Sequence, residues 1–297
     1  MSALHGIWRK IRRATGGRRA LGVHVALVLV IVLVAVLAGR LAPMDPYAAN
    51  LAEAFQPPGA EHWFGTDKLG RDIASRIIHG ARISLTSAMI LVLVVSVLGS
   101  LLGVVAGCFG GLADAVIMRI CDMMISFPGI VLAIAVAGLL GASIRNAIIA
   151  IAVVSWTKYA RLARSLVLKI RHSDFVTAAE LNGIRPGRLM RRYLLPSALP
   201  TLVITAATDI GTMMLELAGL SFLGFGAQPP QAEWGLMLNE GRANLLDSPW
   251  FMIFPGAAIC VTVVVFNLLG DALRDVLDPR RAGRDEDLVE LARAPLP

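Results

Sequence analysis

Two carboxylates stand inside an otherwise apolar run. Asp209 and Glu216 lie seven residues apart in residues 197–220, a stretch with no other charge. At helical pitch that spacing puts both on one face. Acids at membrane depth are costly and usually face a cavity or a partner group. Met213 and Met214 fall between them. A carboxylate pair beside a thioether could receive a peptide amino group or a metal cation, although oxygen and sulfur donors suit several metals. The simpler reading is a helix–helix hydrogen bond, an outer-interface position for Glu216, and plain packing for the methionines. Asp209, Met213 and Glu216 are therefore the candidate pore-lining residues.

Covalent chemistry has no footing here. None of Lys10, Lys68, Lys158 or Lys169 follows a glycine, so the phosphate loop of P-loop ATPases is absent. There is no H-E-x-x-H, no C-x-x-C and no G-x-S-x-G elbow. Cys108, Cys121 and Cys260 lie in or beside apolar stretches without metal-ligand spacing and read as packing residues. Energy for any work must come from a partner or an ion gradient.

The elements that position the two acids are membrane spans. The chain has 297 residues, 56% of them hydrophobic and 16% charged, with a mean hydropathy of +0.69. Soluble domains carry about 25% charged residues. The apolar residues come in blocks long enough to cross a bilayer core of about 30 Å as helices. Six runs qualify: residues 21–39, 84–109, 123–144, 146–157, 197–220 and 249–270. The fourth is short, but Lys158, Arg161 and Arg164 can snorkel at its lower end. The first run follows a basic tail like a signal peptide, yet it is long and five more follow, so it reads as a retained anchor. The fold class is thus an all-α membrane protein with six transmembrane helices.

Orientation follows from the cations. Arginines crowd the first twenty residues, the segment between runs four and five, and the tail after run six, whereas only Arg242 lies between runs five and six. Both ends therefore belong inside. Residues 40–82 fit poorly, because they hold Arg40, Lys68, Arg71, Arg76 and Arg82 yet fall outside. Inner-face arginines against anionic lipid account for the formal charge of +7 without nucleic acid. Trp63, Trp234 and Trp250 fit an aromatic belt. Asp67 and Asp72 suit caps of short helices, and Asp114 and Asp122 suit caps or inner-surface groups.

One basic stretch interrupts the apolar pattern: "TAAELNGIRPGRLMRRYLLP", residues 177–196. Asp174 can cap a helix that runs through Ala178 and Ala179, Gly183 can end it, and Pro186 can begin another. Pro196 marks entry to the fifth run. Helix, tight turn and helix at the inner surface admit two readings: arginines on lipid headgroups, or a docking knob for an inner protein.

The spacing A-A-x-x-x-G followed by Leu-Pro resembles the "EAA" loop of binding-protein-dependent ABC transporter permeases. Ala178, Ala179, Gly183, Leu195 and Pro196 match, and Thr177 stands where that family usually has Glu. "HWFGTDKLGRDIASRIIHGARISL" (62–85), "LELAGLSFLGFGAQPPQAEWGLMLNEGR" (215–242) and "NLLGDALRDVLDPR" (267–280) are similar to segments of the second, C-type permease of dipeptide, oligopeptide and nickel importers.

The resemblance implies a type I ABC importer permease fold. Its parts are a basic cytoplasmic tail (1–20), a first span (21–42), a periplasmic segment (43–82), a transmembrane domain (83–275) with a coupling loop (166–196), and a cytoplasmic tail (276–297). It implies an ATPase-coupling role for Ala178, Ala179, Glu180, Gly183, Leu195 and Pro196. The implied partners are a second homologous permease, two cytoplasmic ATP-binding subunits that carry ATP and Mg, a periplasmic solute-binding protein, and lipid of a bacterial inner membrane. No cofactor belongs to this chain. Di- or oligopeptides are the expected solute and nickel the alternative. An ion-driven secondary transporter is a different class, and the chain shows no convincing internal repeat of the kind such transporters carry.

Overall fold

The computed structural model describes residues 21–171, 173, 176, 184 and 186–277. Eight helices carry the fold among them: α1 (Leu21–Val36), α2 (Ile73–Phe109), α3 (Gly111–Ile125), α4 (Gly129–Leu140), α5 (Ile144–Arg171), α6 (Leu195–Phe222), α7 (Trp234–Gly241) and α8 (Trp250–Leu277). Among the described residues, three helices are long and apolar enough to cross a membrane: α2, α6 with its lead-in from Gly187, and α8 over Trp250–Val276. The pair α3 and α4 would make a fourth, but it bends by 93°.

The expected third run therefore divides. Ser126 and Pro128 interrupt residues 123–144 because proline donates no backbone hydrogen bond and biases its predecessor away from helix. Gly141 ends α4 at φ 88°. The fourth run becomes α5, whose 28 residues reach about 42 Å at 1.5 Å each. Arg145, Lys158, Arg161 and Arg164 dilute its apolar character. The first run forms the shorter helix α1, anchored where Ala35 joins a core with Ile73, Leu85, Trp234 and Phe251.

Close helix packing rests on small residues, as in membrane interfaces generally. Gly99, Gly103 and Gly107 recur every fourth residue along α2 and lie against α5. A Cβ on Gly103 would sit 2.2 Å from the Ala160 carbonyl oxygen, and one on Gly99 2.3 Å from that of Trp156. Gly211 of α6 lies under Asn267 and Val263, and Gly270 of α8 under Thr208, so α6 and α8 meet equally closely. The core between α2, α4, α5 and α6 holds Leu91, Val95, Ala137, Ile151, Tyr159, Met213 and Leu217.

Two prolines meet different fates. Pro186 opens a helical turn (Pro186–Leu189) as expected. Pro196 lies in the first turn of α6, as expected, but that helix continues from the preceding turn without a break. A π-turn, Met190–Leu194, precedes it, and the Leu195 amide bonds back to the Met190 carbonyl. That wider turn leaves room for a ring that cannot donate, and one helix runs from Gly187 to Phe222.

Candidate functional site

The mid-span acid is not alone. α6 presents Asp209 and α5 presents Lys158 and Tyr159 to the same point. The Lys158 ammonium lies 2.7 Å from Oδ1 and 2.8 Å from Oδ2 of Asp209, and the Tyr159 hydroxyl donates to Oδ2 at 2.9 Å. Tyr159 is fully buried. The Asp209 side chain is 8% exposed, whereas that of Lys158 is 54% exposed. A buried carboxylate needs such a partner set, since an unpaired one would strongly resist removal from water.

Glu216 is half-buried farther along the same helix and is hydrogen-bonded by the Ser155 side chain, within electrostatic reach of Lys158 and Asp209. The antiparallel course of α5 and α6 explains the match: Ser155 precedes Lys158 by about one turn, and Glu216 follows Asp209 by about two. Met213 is buried in the core beside Tyr159 and Leu217. Met214 is buried on the other side, with Met237 and Phe251. Their thioethers are packing atoms. Among the described residues no three His, Cys, Asp or Glu side chains gather to hold a metal ion.

Sequence spacing thus found Asp209 and Glu216 on one face but missed the residues that join them. Lys158 ends an apolar run, a pattern that suits snorkelling. Its ammonium instead turns to Asp209.

A second polar cluster closes the α7 end of the bundle. Arg71 donates from Nε to Asp67 at 2.6 Å and from Nη2 to both Glu240 oxygens at 3.2 Å. Arg76, fully buried, donates to Glu240 at 2.9 Å. Asp72 caps α2 through the Ser75 amide at 2.7 Å and meets His62 at 3.0 Å. Asp67 does not cap a helix. Its Oδ1 accepts from the Leu69 and Arg71 amides, which holds the turn whose Gly70, at φ 71°, would drive a Cβ to 1.8 Å from the Asn50 carbonyl oxygen. Two of the five cations that spoiled the orientation pattern are therefore balanced and folded away.

Glu233 is buried beside this cluster. It caps α7 by accepting from the Gly235 and Leu236 amides at 3.0 and 2.8 Å, and Ser84 of α2 adds a longer bond. Burial pushes its carboxyl above the ordinary range, against the pull of those bonds. Trp234 is not a belt residue. It is buried, and its indole donates to the Ile77 carbonyl at 2.9 Å. Trp63 is exposed.

At the opposite end, Arg164 and Arg161 of α5 pair with Asp114 and Asp122 of α3. Arg171 donates to the Cys108 carbonyl at 3.0 Å. Val176, Ile184, Leu189 and Leu194 pack with Val104, Cys108, Ala163 and Val167 at the ends of α2 and α5. The basic stretch is thereby flanked by residues anchored to two long helices. Leu195 is half-buried and Pro196 exposed. Ala178, Ala179, Glu180 and Gly183 lie outside the described residues.

Comparison with known proteins agrees with this architecture. The family of the binding-protein-dependent transport system inner membrane component matches residues 99–283. The chain is similar to the probable D,D-dipeptide transport system permease protein DdpC of Escherichia coli (strain K12), with 44% identity over 258 residues and 87% of each chain covered. It is as similar to the nickel transport system permease protein NikC of the same organism, with 44% identity over 259 residues, 86% of this chain and 94% of that one. A chain of the MetNI methionine ABC transporter, solved in inward-facing conformations, matches at TM-score 0.54 and 21% identity over 67% of this chain and 95% of that one. That likeness speaks for the fold alone.

Proposed function

Because this chain belongs to the family of binding-protein-dependent transport system inner membrane components, and is a permease rather than an enzyme, we propose that it forms half of the path of an ATP-driven importer for di- or oligopeptides. A second homologous permease supplies the other half. Two cytoplasmic ATP-binding subunits carry ATP and Mg, and a periplasmic binding protein delivers the solute. The chain crosses the bacterial inner membrane six times with both termini cytoplasmic, so residues 43–82 face the periplasm and the tails, 1–20 and 276–297, face the cytoplasm. Within the domain spanning 83–275, the loop 166–196 is the handle. Ala178, Ala179, Glu180 and Gly183 dock on an ATPase, and Leu195 and Pro196 lead the motion into α6.

Motion would travel as rigid-body shifts of packed helices. The loop is flanked by side chains seated on α2 and α5, and the glycine row locks those two helices together. ATP binding draws the ATPases together, the handle follows, and the two faces of the path open in turn.

The observation that favours peptides is the occupied acid. Both Asp209 oxygens are engaged by Lys158 and Tyr159. The path then offers an ammonium and a neighbouring carboxylate, which suits a zwitterion better than a bare divalent cation. Nickel is the second reading, favoured by the equal likeness to NikC. Uptake by the assembled importer in proteoliposomes separates them. ATP-dependent accumulation of a dipeptide without nickel uptake is expected, and nickel uptake without peptide uptake would reverse the choice.

A further inference from the structure

Lys158 occupies a costly position. At 1.5 Å per residue, about 25 Å of helix separate Arg192 from Asp209 and about 20 Å separate Asp209 from Phe222. The pair therefore lies near the middle of the α6 span. A half-open ammonium is unfavourable against acyl chains at that depth. It is not drawn toward headgroups either, since Asp209 holds it from both oxygens. Its open side must face water or the partner half of the path.

The rest of α5 agrees. At 3.6 residues per turn, Ser155, Lys158, Arg161, Ser165 and Lys169 fall within an arc of about 120°. The last four are exposed and Ser155 is half-buried. This polar stripe continues from mid-span toward the loop. At its upper end Ser155 holds Glu216. An ammonium has three donors and no acceptor. Two face Asp209 here, and the third remains for another anion.

From this geometry we infer that Lys158 is a specificity residue of the translocation path. Its ammonium takes the terminal carboxylate of a passing peptide, and Glu216 beside Ser155 receives the peptide's ammonium group. Asp209 and Tyr159 are positioning residues that hold Lys158 in place between passages. The inference rests on the peptide-importer reading. Binding does not require the Lys158–Asp209 pair to break, because the third donor is open. A charge-assisted bond of this kind corresponds to roughly tenfold in the discrimination between a carboxylate and its amide.

The test uses the complete importer in proteoliposomes and two dipeptides, one with a free C-terminus and one amidated, each saturating on the binding protein. Wild type is expected to favour the free peptide. K158M should lower the free-to-amide uptake ratio about tenfold, and K158R should keep it. K158M leaves Asp209 unpaired, so the double variant K158M/D209N is the cleaner comparison, and it should show the same lost ratio. D209N alone should lower the ratio less than K158M does, because the ammonium remains but loses the carboxylate that holds it in place. Recovery of the wild-type ratio in the double variant would overturn the inference, because Lys158 would then be only a counter-ion to Asp209. Equal slowing of both peptides by K158M, or no preference in wild type, would overturn it too. A wild-type importer that carries neither dipeptide defeats the peptide reading as well, whereas the other failures leave that reading intact.

Discussion

Replacing Gly103 by alanine tests the packing that makes α2 and α5 one body. The new Cβ would lie 2.2 Å from the Ala160 carbonyl oxygen and 2.8 Å from the Ala163 Cβ. Comfortable contact begins near about 3.5 Å, so the helices must part by about 1.3 Å. The nearer obstacle is backbone, so no change of rotamer relieves it. Overpacking of this kind costs about 1–3 kcal/mol. For a chain of this size each kcal/mol moves melting by about 2–4 °C, so the purified variant should melt roughly 2–12 °C lower. Gly219→Ala is the control. Nothing lies within 4 Å of its new methyl, and alanine favours helix, so its melting should hold or rise. Adding Ala163→Gly to Gly103→Ala should not restore stability, since the clash with the Ala160 oxygen persists. Wild-type melting of Gly103→Ala, or its rescue by Ala163→Gly, would refute the reasoning.

Two further changes probe the α7 end. Glu240→Ala strips a shared acceptor from Arg71 and from fully buried Arg76, and removal of one partner of a buried pair costs about 3–5 kcal/mol. Thermal unfolding in detergent should show a large loss, and unchanged melting would contradict the network. Glu233 gives a pH signature. Burial holds its carboxyl above the ordinary value of 4.5, so the folded chain binds that proton more tightly than the unfolded chain. Its stabilising contribution is full below 4.5 and is lost as pH rises through the raised folded value. The melting difference between wild type and Glu233→Gln should therefore shift against wild type as pH rises across that window. A flat difference would show that burial does not govern this group.

Local patterns in the sequence foretold the long helices and some of their ends. The apolar runs at 84–109, 197–220 and 249–270 lie in α2, α6 and α8, because hydropathy reports burial in lipid directly. Asp72 caps a helix as its type suggests, although that helix is the 37-residue α2 rather than a short one. The third run misled because average hydropathy passes over Pro128, where the backbone turns. Pairings across the fold were not readable. Lys158 and Asp209 are 51 residues apart, and Arg71 and Glu240 are 169 apart. Nothing in either neighbourhood names its partner. The orientation rule counted Arg71 and Arg76 as free cations, although the fold spends both on Asp67 and Glu240. Trp234 stands where an aromatic belt would fall, yet the close approach of Gly80 to its indole buries it.

Crosslinking from position 179 tests the drive mechanism most directly. Ala179→Cys is introduced with Cys108, Cys121 and Cys260 replaced, and the chain is expressed with its ATP-binding partners. The new thiol should stay hidden from impermeant maleimide added outside the cell. It should also form an adduct with the ATP-binding subunit at a yield that changes when ATP is hydrolysed. Labelling from outside, or no adduct in any nucleotide state, would contradict an inner handle moved by a separate ATPase.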